Sequence, residues 1–167
     1  VTLGRAAACC LLCSVGQSGV FTPLFDVFSP EDILFEANHR LGVNKHGGDL
    51  VQPDPAGESA LGDQIKQYIR QRDAKPGAVF LGVVHRIDRP VSGAVLFAKT
   101  SKALVRLNEM LREGRIRKVY WALTERTPDP EAGELRHYIL RDARTNRSRA
   151  LTAPKGDAKL ARLRYET

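Results

Sequence analysis

Two short apolar runs, Leu81 to Val84 and Ala94 to Ala98, bracket the segment "HRIDRPVSG" and constrain the fold more than any other feature. Brief runs of β-branched and aliphatic residues read as buried strands, and the link between two such strands should be a plain turn. This link instead holds His85, Arg86, Asp88, Arg89 and Pro90. Pro90 disfavours helix at Arg89, so the chain leaving Val84 stays extended and carries Asp88 on a rigid connection. Arg86 and Asp88, two apart, then share a face, which puts a carboxylate near a guanidinium. On residue types alone Asp88 is either a turn former or a reactive group.

The flanking sequence supplies elements around this pair of strands. Ile33 to Glu36 and Arg40 to Asn44 read as a hairpin that Gly47 and Gly48 end. "SALGDQIKQYIRQR" sets Leu61, Ile65, Tyr68 and Ile69 on one helical stripe, with Ser59 as the expected N-cap. In "TSKALVRLNEMLREGR", Leu104, Leu107 and Leu111 share a face, and Gly114 stands where a left-handed cap belongs. "RKVYWALT" alternates, with Val119, Trp121 and Leu123 on one side and Lys118, Tyr120 and Ala122 on the other, and is expected to be a strand. "ELRHYIL" and the alternation of Ala161, Leu163 and Tyr165 predict two more strands. The pattern is still running where the sequence stops, and residue 1 is Val, so a fragment is expected.

Charge narrows the function classes. The chain has 167 residues, is 43% hydrophobic and carries a net charge of +7, which suits one globular domain with a polyanionic partner. Nine Lys or Arg fall between Arg136 and Arg164 against Asp142 and Asp157 alone, and this stretch is the better candidate for a phosphate-binding face. The mixed-sign stretch from Lys99 to Lys118 reads as a solvated face. Cys9, Cys10 and Cys13 sit together in an apolar run with no later Cys to complete a zinc site, so they read as inert and no metal is expected. That run is too short to span a bilayer. Residues 1–28 show no structural period and are read as a loose extension in preference to a secretion signal, with 29–167 as the functional domain.

Three blocks in order, "DILFEANHRLGVNK", "HRIDRPVSGAVLFAKTSKA" and "RKVYWAL", resemble the RluA-type pseudouridine synthases over about residues 31 to 167. The resemblance implies an α+β fold with a mixed, mostly antiparallel sheet and flanking helices, and isomerisation of specific uridines in ribosomal or transfer RNA. It implies Asp88 as the catalytic aspartate, Tyr120 as the tyrosine that packs on the flipped base, and Arg86 as the arginine that holds the RNA open. Arg89, Lys45 and Lys118 join these as expected substrate-binding cations, Lys45 either touching phosphate or capping its strand. No cofactor is implied, because moving the ribose C1′ from uracil N1 to C5 is redox-neutral. The expected setting is a cytoplasmic monomer acting on RNA, away from membranes.

Two departures qualify the likeness. His46 follows Lys45 where the family usually has Pro, and the family's "GR.HQIR"-like block, whose Arg pairs with the catalytic Asp, does not occur before Thr167. The 167 residues alone are therefore expected to be weakly active or inactive. A glycosidase needs two carboxylates flanking its bond, and Asp88 has no acidic companion in these blocks. The competing reading is a basic RNA-binding module without chemistry.

Overall fold

A computed structural model describes residues 28–53, 57–74, 76–142, 144–145 and 147–167. Apart from Phe28, the expected extension over residues 1–28, with its three cysteines, lies outside the described residues. The described residues fall into two units, one running to Trp121 and the other starting at Ala122.

In the first unit, β1 (Ile33–Glu36) and β2 (Arg40–Lys45) form the expected hairpin, β4 (Gly93–Ala98) pairs along β2, and β3 (Gly82–Val83) flanks β4. Every pairing is antiparallel. Register sets Leu41 opposite Phe97, Val43 opposite Val95 and Lys45 opposite Gly93, and the two-residue period of a strand places all of them on one face. Helix α1 (Leu61–Arg72) packs here through Leu61, Ile65 and Ile69, which are buried together with Val51. The other face receives α2 (Ser101–Arg112), whose Leu104, Leu107 and Leu111 meet Val84, Leu96 and Ala98. The result is a three-layer core in which each large aliphatic side chain contributes roughly 1.5 to 3 kcal/mol by leaving water. Close approach of β3 to α2 requires Gly82, since a Cβ there would lie 2.7 Å from Leu104 Cδ2.

The caps follow local chemistry. Thr100 Oγ1 accepts the Ala103 N–H at 3.2 Å and starts α2, while Gly114, at φ 70°, follows its end. Helix α1 differs from expectation: its N-cap is Ala60, with no side-chain cap. The Leu61 N–H, which Ser59 was expected to help satisfy, donates to the Leu50 carbonyl at 2.7 Å, and Asp63 supplies the negative charge that a helix start favours.

Glu36 ties three elements together. Its carboxylate accepts from Arg72 of α1 at 2.8 and 3.0 Å and from Lys99, between β4 and α2, at 2.6 Å. The Arg72 hydrogen bonds first, and the Lys99 bond after them, hold the Glu36 pKa down at about 2. A carboxylate held lower in the folded state stabilises fully above its ordinary value of 4.5, and that stabilisation disappears as pH falls toward 2. Glu36→Gln should therefore flatten stability against pH in this window. Solvent screening keeps the contribution to about 1 to 2 kcal/mol. Urea melts of both proteins at several pH values between 2 and 5 would check this, and parallel curves would contradict it.

The strand expected over "RKVYWALT" is not one: residues 113–131 have no regular secondary structure. Alternation supplies the faces of a strand but not the neighbour whose backbone its N–H and C=O groups must pair with. Among the described residues none takes that place. Val119, Trp121 and Leu123 are exposed in consequence, Trp121 to 98%.

The second unit is a three-stranded antiparallel sheet in the order β6 (Arg147–Leu151), β5 (Ala132–Asp142), β7 (Lys159–Glu166). Its register pairs Arg136 with Arg162, Glu134 with Arg164 and Leu140 with Arg149. One face therefore gathers Arg136, Arg147, Arg149, Arg162 and Arg164 with Tyr138, while Leu135, Ile139, Ala161 and Leu163 occupy the other. Among the described residues, strands paired only antiparallel and two separate helices give an α+β fold, as expected.

Candidate active site

The segment from His85 to Ser92, between β3 and β4, is a loop held from inside the core. Lys45 ends β2 on the same face as Leu41 and Val43, and its side chain is 0% exposed. A buried ammonium must spend all three N–H groups. Lys45 Nζ donates to the carbonyls of Val91 at 2.7 Å, His46 at 2.8 Å and Arg89 at 3.0 Å. Burial lowers its pKa, with Asp49 and Asp88 opposing that shift. The sequence left two roles open, contact with phosphate or a cap on its strand, and in this structure all three N–H groups go to backbone carbonyls at and beyond the end of β2.

Around this staple the loop is fixed further. The Gly48 N–H donates to the Arg89 carbonyl at 2.8 Å, and Arg89 Nε returns a bond to the Gly48 carbonyl at 2.9 Å. Arg89 also pairs with Glu58 at 2.9 Å. The Val91 N–H closes a turn on the Asp88 carbonyl at 3.0 Å. His46 is fixed by its own contacts: Nε2 lies 2.6 Å from Asp32 Oδ1, and its backbone N–H donates to Asp49 Oδ2 at 3.3 Å.

Asp88 and Arg86 line one cleft of about 390 Å³ with Leu50, Val51, Gln52, Ile87 and Arg89. Ile87 packs against the main core, which anchors the middle of the extended triplet. The expected pairing of Asp88 with Arg86 does not occur. Arg86 Nη1 reaches Gln52 Oε1 at 3.4 Å, and among the described residues the Asp88 carboxylate has no side-chain hydrogen bond, so it is open toward the cleft. Tyr120 does not line the cleft and is 61% exposed. Lys118 is exposed, and its charge acts on His85. Sequence reading missed Gln52 and its neighbours, because "LVQPDP" carries no motif. Among the described residues no group of three or more His, Cys, Asp or Glu could hold a metal ion, and no helix is long and apolar enough to cross a membrane.

A family model described as RNA pseudouridylate synthase matches residues 39–167, the stretch holding the cleft and every strand except β1. The chain belongs to the RNA pseudouridylate synthase family. Within this synthase family it is 43% identical, over 91 residues, to ribosomal large subunit pseudouridine synthase C of Buchnera aphidicola subsp. Acyrthosiphon pisum, covering 54% of the chain and 27% of that protein. Over 106 residues it is 38% identical to mitochondrial pseudouridylate synthase RPUSD4 of Xenopus tropicalis, covering 64% of the chain and 30% of that protein. The solved structure of human RNA pseudouridylate synthase domain containing 4 superposes with a TM-score of 0.66 at 20% identity, over 81% of the chain and 53% of that structure. That likeness shows the fold. The chain thus spans less than a third of the length of these two synthase relatives. The α+β pseudouridine synthase fold and the RluA-type membership expected from the three blocks are both found.

Proposed function

We propose that this chain carries the catalytic aspartate of an enzyme that isomerises uridine to pseudouridine in RNA, with ribosomal RNA as the favoured substrate. The observation that carries the reading is the Asp88 carboxylate, open to a cleft on a loop whose backbone Lys45 holds from within the core. The reaction breaks the bond from uracil N1 to ribose C1′, turns the base, joins C5 to C1′ and expels the C5 hydrogen as a proton while N1 gains one. A carboxylate beside the sugar supplies the group that this exchange needs, and no electrons are gained or lost. Ribosomal RNA is favoured because the Buchnera relative is named for the ribosomal large subunit.

The target base must leave its stack first, which is easiest in loops and single strands. Arg86, bound by one long hydrogen bond to Gln52, would enter the vacated space. Tyr120, exposed in this structure, would stack on the extruded base and hold it by roughly 1 to 3 kcal/mol. Arg89 and Lys118 supply positive charge for the phosphates. The test is tritium release by the full-length protein from RNA labelled at uridine C5. Release supports isomerisation, and its absence from RNA that is demonstrably bound overturns it.

The second reading, an RNA-binding module without chemistry, is favoured by the arginine face of the second sheet. Glu134 pairs with Arg136 and with Arg164 at 3.2 Å, which leaves Arg147, Arg149 and Arg162 as the better phosphate ligands. Replacing these three with Gln should weaken RNA binding and reduce the slope of log K against log salt by about 2. A salt titration of binding checks this, and an unchanged slope would remove the face from the RNA contact.

A further inference from the structure

The ladder between β3 and β4 ends at Val83 opposite Phe97. One residue later the Val84 N–H still donates to the Leu96 carbonyl at 3.3 Å. In a regular antiparallel pair the return bond would run from the Leu96 N–H to the Val84 carbonyl. Here the Leu96 N–H donates to Nε2 of His85 at 3.1 Å. An imidazole has taken the place of a strand carbonyl, and the main chain leaves the sheet just before Arg86 and Asp88.

A ring nitrogen that accepts carries no proton, so His85 is neutral with its hydrogen on Nδ1. Nδ1 is buried and has no hydrogen-bond partner among the described residues. We propose that His85 is a positioning residue for the reaction: its neutral Nδ1–H form ends β3 and aims the Arg86–Asp88 segment into the cleft, and protonating the ring releases that segment. Protonation would turn Nε2 into a second donor facing the Leu96 N–H, so one of the two must lose its partner.

The surroundings oppose that protonation. Burial lowers the His85 pKa first, and the positive charge of Lys118, on the segment following α2, lowers it further. A His held lower in the folded state stabilises fully above its ordinary value of 6.5, and this is lost as pH falls below it. Asp88, three residues on, would be misplaced by the same event. A misplacement on the order of 1 Å at a reacting group reduces turnover about 100-fold.

The kinetic part of this inference rests on the isomerase reading, and the test separates the two. In the full-length protein, nitrogen NMR of the His85 ring should show Nε2 unprotonated at neutral pH, with titration below the ordinary His range. The kcat of tritium release should fall on the acid side of neutrality with little change in KM. His85→Gln keeps an acceptor near Nε2 and should retain kcat within about tenfold while losing that acid limb. His85→Phe should lose about 100-fold in kcat at every pH. An Nε2-protonated ring, or a His85→Phe protein with the wild-type rate and pH profile, would overturn the proposal. If the wild type releases no tritium at any pH, the isomerase reading fails, and the NMR result still decides the state of His85.

Discussion

Asp88→Asn should abolish tritium release, leaving no more than about 10⁻⁴ of the wild-type rate, while RNA affinity stays level or rises. The amide has the carboxylate's shape but neither its charge nor its basicity, so every role open to Asp88, at the sugar, at the base or at C2′, is lost together. Folding should not suffer. The Asp88 side chain has no hydrogen bond among the described residues, and the turn it sits in is closed by its backbone carbonyl, so stability should stay within about 0.5 kcal/mol. On the proposed reading, removing one negative charge from a surface facing phosphate favours binding slightly. Rate, affinity and urea midpoint measured on one preparation distinguish the outcomes. Retained release would remove Asp88 from catalysis, whereas lost affinity would make it a binding residue.

Lys45→Met should produce the largest loss of stability. Methionine fits the apolar face shared with Leu41 and Val43, so neither volume nor burial changes much. What disappears is the donor set for three carbonyls, those of His46, Arg89 and Val91. An interior acceptor left without a donor costs about 1 to 3 kcal/mol, and with partial relaxation the total should come to about 3 to 5 kcal/mol. Denaturant unfolding would show a lower midpoint at an unchanged slope. Turnover should fall as well, because two of the three carbonyls follow Asp88 closely in sequence. A variant as stable as the wild type would mean that water or a local shift satisfies the carbonyls, and that the loop is held by other means.

Periodicity revealed most of the fold. The stripes Leu61, Ile65, Ile69 and Leu104, Leu107, Leu111 indicated the two helices, and both face the sheet. The same logic carried further would have located Lys45, which follows Leu41 and Val43 at steps of two and so belongs on the buried face. Its charge argued for the surface, and three carbonyls that only the tertiary fold assembles reverse that argument. Residues 118–124 show the converse, since their alternation is that of a strand but pairing depends on a neighbour that local sequence does not specify. In the site, the motif located Asp88 and Arg86, yet Gln52 and the bond from Leu96 to His85 come from other segments and leave no local signature. Thr100 lies between these cases: "AKT" belonged to the resemblance, and the structure gives it a cause in the cap of α2.

Trp121 is the only tryptophan in the chain, and it stands almost wholly in water one residue after Tyr120. That placement makes residues 119–123 an optical probe within this chain. An indole in water emits at long wavelength, and anything that settles over residues 119–123, whether nucleic acid, another polypeptide or a second copy, moves it into a drier setting and shifts the emission to the blue. In a preparation of these 167 residues, fluorescence without added dye therefore reports on this ribbon.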